Sequence, residues 1–111
     1  MSIANPIARQ DANPPYRNKT LCIDKRVDDL MSRMSLEDKA GQMFHARTNV
    51  VNNTFDETIE GFVTDKRITA YVLSGGVNDV RGVANWYNKL QRLALSTPLG
   101  IPITISSDPQ Q

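Results

Sequence analysis

Apolar positions recur with helical spacing from the twenties of the chain onward. Val27, Leu30, Met31 and Met34 fall at i, i+3, i+4 and i+7, which places four apolar side chains on one helix face. Asp24 is the expected N-cap. Lys25, Arg26, Asp28, Asp29 and Arg33 fall mostly on the solvated side. A second helix is predicted directly afterwards, with Leu36, Ala40, Met43 and Phe44 as its apolar stripe. Ser35 and Asp38 have capping-box spacing, and the Asp38 carboxylate suits the positive end of the helix dipole.

The pattern then fades. His45 to Thr54, with Asn49, Asn52 and Asn53, reads as a loop in which Val50 and Val51 fit either way. Residues 55–63 read as a short helix with Phe55, Ile59, Phe62 and Val63 on one side. Residues 68–73 are rich in β-branched and aromatic side chains and end in Ser74-Gly75-Gly76, the signature of a buried strand and its turn. Residues 79–95 predict a long helix, with Asn78 as N-cap. Val80, Val83, Ala84, Tyr87, Leu90 and Ala94 trace its expected inner face, widened by Trp86 and Leu93. Thr97, Pro98 and Gly100 end it. Residues 101–106 then alternate Ile101, Ile103 and Ile105, a second strand with Pro102 near its start. Strand, helix, strand in that order is a βαβ unit, which implies parallel strands and a right-handed crossover.

Residues 1–20 lack any such period. Prolines, asparagines and mixed polar residues predict an extended arm, followed by one domain over residues 21–111. Residues 1–16 contain no long apolar run, so neither a signal peptide nor a membrane span is expected, and a cytoplasmic location is. Asn18-Lys19-Thr20 and Asn52-Asn53-Thr54 have the form of glycosylation sites, which matter only on a secreted chain.

Composition narrows the function classes. The 111 residues carry 40% hydrophobic and 23% charged side chains, and a net charge of +1. That is an ordinary globular balance, without the basic stripe that nucleic acid demands. The lone Cys22 between Leu21 and Ile23 reads as a small, half-buried apolar residue, since a nucleophile would need a histidine beside it. His45 is the one histidine, and its expected role is structural or at the surface. Glu57, Glu60 and His45 have no metal-binding spacing, so no metal site or cofactor is expected. Ser74-Gly75-Gly76 lacks the lysine of a phosphate loop. Asp56, Glu57 and Glu60 read as a solvated helix start, Glu37 and Asp38 as first-turn acids, and Asp28 and Asp29 as a polar helix face. No catalytic residue is assigned. Asp108, before Pro109 and after a strand, reads on its own as a turn residue.

Three stretches carry a resemblance. Arg26-Val27-Asp28-Asp29-Leu30 running to Met34-Ser35-Leu36-Glu37-Asp38-Lys39-Ala40-Gly41-Gln42-Met43 is similar to the opening helices of family 3 glycoside hydrolases, the β-glucosidase and β-xylosidase type. Tyr71 to Gly76 resembles an early barrel strand and its turn. Trp86, Asn88, Leu90, Gln91 and Ala94, followed by Leu99-Gly100-Ile101-Pro102, resemble the segment before a later strand. The resemblance covers roughly residues 16–108.

It implies an α/β fold, the N-terminal fragment of a (β/α)8 TIM-like barrel, helix-rich with a few parallel strands. Such enzymes work at the C-terminal ends of their strands. By the same resemblance Asp108 is the substrate-binding residue, a carboxylate accepting hydrogen bonds from neighbouring sugar hydroxyls. Gln110 and Gln111 depart from the basic residue and histidine that the family often carries there. The family's nucleophile and acid/base, the two carboxyl groups of a retaining glycosidase, are expected beyond residue 111. The expected partner is a β-glycoside, with no nucleic acid or membrane. A fragment of this kind is expected to be inactive alone, and its uncovered apolar faces predict self-association. The alternative is a non-catalytic short product that acts as an interaction or weak sugar-binding module.

Overall fold

The computed structural model describes residues 13–49, 57–74 and 79–107. The chain divides into two compact units between Leu36 and Glu37.

The first unit is built on helix α1, Ile23–Arg33. A single 3-10 turn at Pro15–Arg17 precedes it, so the described end of the expected arm is folded locally. Asp29 ties the two together. Its Oδ2 accepts from the Tyr16 backbone N–H at 3.0 Å and from Arg33 Nε at 3.1 Å. Arg26 Nε donates to the Tyr16 carbonyl at 3.0 Å. Asp29, expected merely to face solvent, is therefore a half-buried anchor, and the paired guanidinium and amide hold it better than either alone. The helix begins one residue earlier than expected. Cys22 is the N-cap, without a side-chain bond to the helix, and Asp24 lies in the first turn. The Cys22 thiol is exposed, not half-buried: a cap residue stands outside the helix face that could cover it. Within its own unit the apolar stripe is incompletely covered, for Ile23, Val27 and Met31 remain exposed.

The second unit, from Glu37 on, holds all but the first residue of helix α2 (Leu36–Gln42), then strand β1 (His45–Asn49), helix α3 (Glu57–Thr64), strand β2 (Ala70–Ser74), helix α4 (Val80–Leu95) and strand β3 (Thr104–Ser106). The three strands are parallel, in the order β1-β2-β3. This is an α/β architecture made of two consecutive βαβ steps. Strand β1 was expected to be a loop. It reads as one because His45, Arg47 and Asn49 are exposed and only Ala46 and Thr48 turn inward, too short an alternation to register as a strand.

Three helix and strand expectations hold with shifted ends. In α3, Ile59 and Val63 are buried and Phe62 packs against them, while Phe55 and Asp56 lie outside the described residues. In β3 only three residues pair as strand, because Ile101 and Pro102 precede it. The alternation survives: Ile103 is buried and Ile101 and Ile105 are half-buried. In α4 the inner face is rotated from its expected position. Gly82, Trp86, Leu90 and Ala94, spaced by four, are buried. Val80 is 80% exposed and Tyr87 40% exposed. Gly82 at the head of this row makes it invisible to a hydrophobicity pattern. Asp79 is the helix N-cap, and Asn78 lies outside the described residues.

The core joins Ile59 and Val63 of α3, Ile68 and Tyr71, Trp86, Leu90 and Ala94 of α4, and Ile103. Each fully buried large apolar side chain contributes about 1.5–3 kcal/mol of transfer free energy. Tyr71 is wholly buried and donates its hydroxyl to the Ile68 carbonyl at 2.9 Å. Burial pushes its phenol well above the ordinary value, because the phenolate would have to leave water.

Two glutamines from the resembling stretches act as backbone clamps. Gln91 on α4 accepts from the Ile103 N–H at 2.9 Å and donates to the Ile103 carbonyl at 2.7 Å. It thereby continues the hydrogen bonding of β3 one residue beyond the ladder. Gln42 on α2 accepts from Thr69 Oγ1 at 2.8 Å and donates to the Arg67 carbonyl at 3.2 Å, just before β2. One turn back, Asp38 pairs with Arg67 Nε at 3.0 Å. Gly41 between them is buried, and a Cβ there would stand 2.5 Å from the Lys66 carbonyl oxygen and 2.6 Å from that of Arg67. Arg67 itself has φ 57°, a left-handed conformation costing a non-glycine residue roughly 1–2 kcal/mol. Asp38, Gly41 and Gln42 share one helix face and hold that strained turn in place.

Candidate functional site

The register divides the sheet into two faces. Ala46, Tyr71 and Ile105 are aligned, as are Thr48 and Leu73, and these side chains point toward the helices. The other face carries His45, Ala70 and Thr104 in one row, Arg47, Val72 and Ser106 in the next, and Asn49 and Ser74 in the last. His45, Arg47, Asn49, Thr104 and Ser106 are exposed, and Ala70, Val72 and Ser74 are half-buried. Parallel sheets normally have both faces covered. Here one face is open, and its residues are polar or small.

This face is polar near the C-terminal ends of the strands, where Asn49, Ser74 and Ser106 lie. Hydroxyl and amide groups of this kind both donate and accept, which suits a polyhydroxylated ligand. The expected sugar-binding residue, Asp108, directly follows Ser107 in sequence and lies outside the described residues. One link crosses the face: Ser106 Oγ and His45 Nε2 stand 3.1 Å apart. Sequence reasoning left His45 as a structural or surface imidazole and did not pair it with Ser106, since 61 residues separate the two. The signal that could have found the face is the alternation His45, Arg47, Asn49 against Ala46 and Thr48.

The other acids have local partners or solvent. Asp38 is paired with Arg67, Asp29 with Arg33, and Glu60 and Asp28 are exposed. Among the described residues no three His, Cys, Asp or Glu side chains form a group able to hold a metal ion. No described helix is long and apolar enough to cross a membrane. An open groove of about 570 Å³ lies at the opposite end of the strands, between α2, α3 and the start of β1. Ala40, Phe44, Ala46, Phe62 and Ile68 make it predominantly apolar, a poor match to sugar hydroxyls.

Known proteins resemble the chain closely. It is 40% identical over 107 residues to β-glucosidase C of Emericella nidulans, covering 94% of this chain and 17% of that protein. It is 40% identical over 110 residues to a protein named probable β-glucosidase C from Aspergillus flavus, covering 92% of this chain and 17% of the relative. A periplasmic β-glucosidase/β-xylosidase of Dickeya chrysanthemi is 33% identical over 103 residues, covering 86% of this chain and 16% of its own length. No family model matches the chain. The chain thus spans about a sixth of the length of the curated relatives it matches. It is homologous to one stretch of β-glucosidases, in agreement with the resemblance to family 3 glycoside hydrolases.

Proposed function

We propose that this chain is the opening part of a β-glucosidase-like glycosidase, supplying the first strands of a (β/α)8 barrel and one wall of its sugar site. The observation that carries the reading is the β-glucosidase kinship over more than nine-tenths of the chain. Three parallel strands joined by helices that cover one face support it, since each βα step of such a barrel has that form.

In this reading Asp108, at the C-terminal side of β3, holds sugar hydroxyls in the subsite that is cleaved. An ionised carboxylate accepts two hydrogen bonds and offers charge-assisted strength. Hydrolysis follows the two-step retaining route. One carboxylate attacks the anomeric carbon while a carboxylic acid protonates the leaving oxygen, and water then releases the sugar. No residue of this chain is assigned to either of those two roles, and the segment alone is inactive.

The test has two stages. The natural product is captured with an antibody to this segment and its intact mass measured, then assayed with an aryl β-glucoside. A mass several times 12.4 kDa with aryl-glucoside cleavage is expected. A natural product of 12.4 kDa would overturn the enzymatic reading for this gene. The second reading is then a non-catalytic module. Exposed Met43, Phe44 and Val80 favour self-association in that case, which sedimentation against concentration would reveal.

A further inference from the structure

We propose that Asn18 is an acceptor for an N-linked oligosaccharide, carried on the loop between the 3-10 turn and helix α1. The inference stands apart from the glycosidase reading, because a glycan at this position neither requires catalysis nor excludes it.

Asn18-Lys19-Thr20 has the acceptor pattern, with a residue other than proline between the asparagine and the hydroxyl. The fold sets the triplet where an attachment needs it. All three residues are exposed, on the short connection from Pro15–Arg17 to Ile23–Arg33. Asn18 caps the 3-10 turn with an extended backbone, φ −81° and ψ 105°. Its N–H donates to the Pro15 carbonyl at 2.9 Å, and its own carbonyl accepts from the Leu21 N–H at 3.2 Å. The backbone of the loop is thereby tied to itself, and the side chain of Asn18 is held by the triplet alone.

The Asn18 carboxamide has a defined orientation within that turn. Its Oδ1 accepts from the Thr20 N–H at 3.0 Å and from the Thr20 hydroxyl at 2.7 Å. This is an Asx-turn whose two donors come from one residue. Among the described residues nothing accepts from Nδ2, the atom that would carry the sugar. The two bonds on Oδ1 suit the transfer chemically. An amide nitrogen attacks poorly while its lone pair is shared with the carbonyl. When Nδ2 gives up a proton, negative charge gathers on Oδ1, and donors already aimed there bind it more strongly than the neutral oxygen.

The donor is an oligosaccharide carried on a polyprenyl diphosphate. Nδ2 attacks its anomeric carbon, and the bond from that carbon to the diphosphate oxygen breaks. One Nδ2 proton passes to a base of the transferase, and the polyprenyl diphosphate leaves with the bonding pair. The product is compatible with the folded unit. Its anchor contacts run through Tyr16, Arg26, Asp29 and Arg33, and none of them uses the Asn18 side chain. A bulky, hydrophilic group leaving this loop meets solvent.

The proposal carries a location with it. N-linked acceptors function on secreted chains, so the complete gene product enters the secretory route, in place of the cytoplasmic location expected from residues 1–16. The second triplet, Asn52-Asn53-Thr54, lies outside the described residues and plays no part.

The experiment reads the natural gene product, so it does not depend on a variant that folds. The product is captured with an antibody to this segment and cleaved before aspartate, which releases residues 11–23 with Asn18 as their one acceptor. The peptide is then treated with a glycan-releasing amidase in heavy-oxygen water and read by mass spectrometry. Conversion of Asn18 to labelled aspartate in most copies, dependent on the amidase, is the expected result. With the gene edited in its own cells, Thr20→Ala should lose the label. Thr20→Ser should keep it, since the serine hydroxyl restores the donor. Unmodified Asn18 in the natural product, an equal label in Thr20→Ala, or complete loss of label in Thr20→Ser would overturn the proposal.

Discussion

The two faces of one sheet differ sharply although the same three strands build both. The helix-covered face meets Trp86, Leu90 and Ala94 through Tyr71, Ile103 and Ile105, and its aromatic members are almost completely buried. The open face offers His45, Arg47, Asn49, Thr104 and Ser106 to solvent, with Ser106 and His45 in hydrogen-bond contact across it. The first face carries the stability of the unit. The second carries little of it, and its residues are free to serve binding. Alternation along a strand makes this division unavoidable: each residue that enters the core sends its neighbours outward.

Substitutions measured by urea unfolding should respect that division. The largest effect is expected at Trp86→Ala, where an emptied core site costs about 3–5 kcal/mol. A cost below 1 kcal/mol there, which would be ordinary for an exposed position, would break the comparison. Gly41→Ala should follow at about 1–3 kcal/mol, because the added methyl meets backbone carbonyls that cannot rotate away. Gln91→Ala belongs in the same range of about 1–3 kcal/mol, since it leaves the Ile103 amide and carbonyl without their partner. Arg47→Ala, on the open face, should stay within about 0.5 kcal/mol.

Tyr71 sharpens the comparison through pH. Its folded pKa is raised by burial, so the unfolded chain releases the phenol proton first. The folded state then holds more protons than the unfolded state, and stability falls as pH rises. The contribution is complete below about pH 10, the ordinary tyrosine value, and is lost above it at about 1.4 kcal/mol per pH unit. Tyr71→Phe should flatten that part of the profile at the cost of the bond to Ile68. An unchanged alkaline slope would show that another group controls it.

Much of the covered face was legible in the sequence, because apolar residues at helical and strand spacing report burial directly. Ile59, Val63, Leu90, Ala94 and Ile103 all lie where periodicity put them. The inner row of α4 was harder to read: Gly82 carries no hydrophobic signal, while exposed Val80 and Tyr87 do. Strand β1 was missed for a different reason. Its outward residues are polar, and a five-residue edge strand depends on pairing with β2, which local propensity does not encode. The resembling stretches were recognisable as motifs, but their physical meaning needed the fold. Asp38, Gly41, Gln42 and Gln91 brace the turns entering two strands, and nothing in their spacing says so. The candidate site was the least legible part. His45 and Ser106 meet only through tertiary structure, and Asp108 was named by resemblance and lies outside the described residues.

The most direct test of the glycosidase account is hydrolysis of an aryl β-glucoside by the complete gene product, as wild type and as Asp108→Asn. The account predicts turnover by the wild type, with kcat/KM lowered at least about a hundredfold in the variant, the loss of roughly two charge-assisted hydrogen bonds. No hydrolysis by a folded wild-type product, or equal activity in the variant, would contradict it.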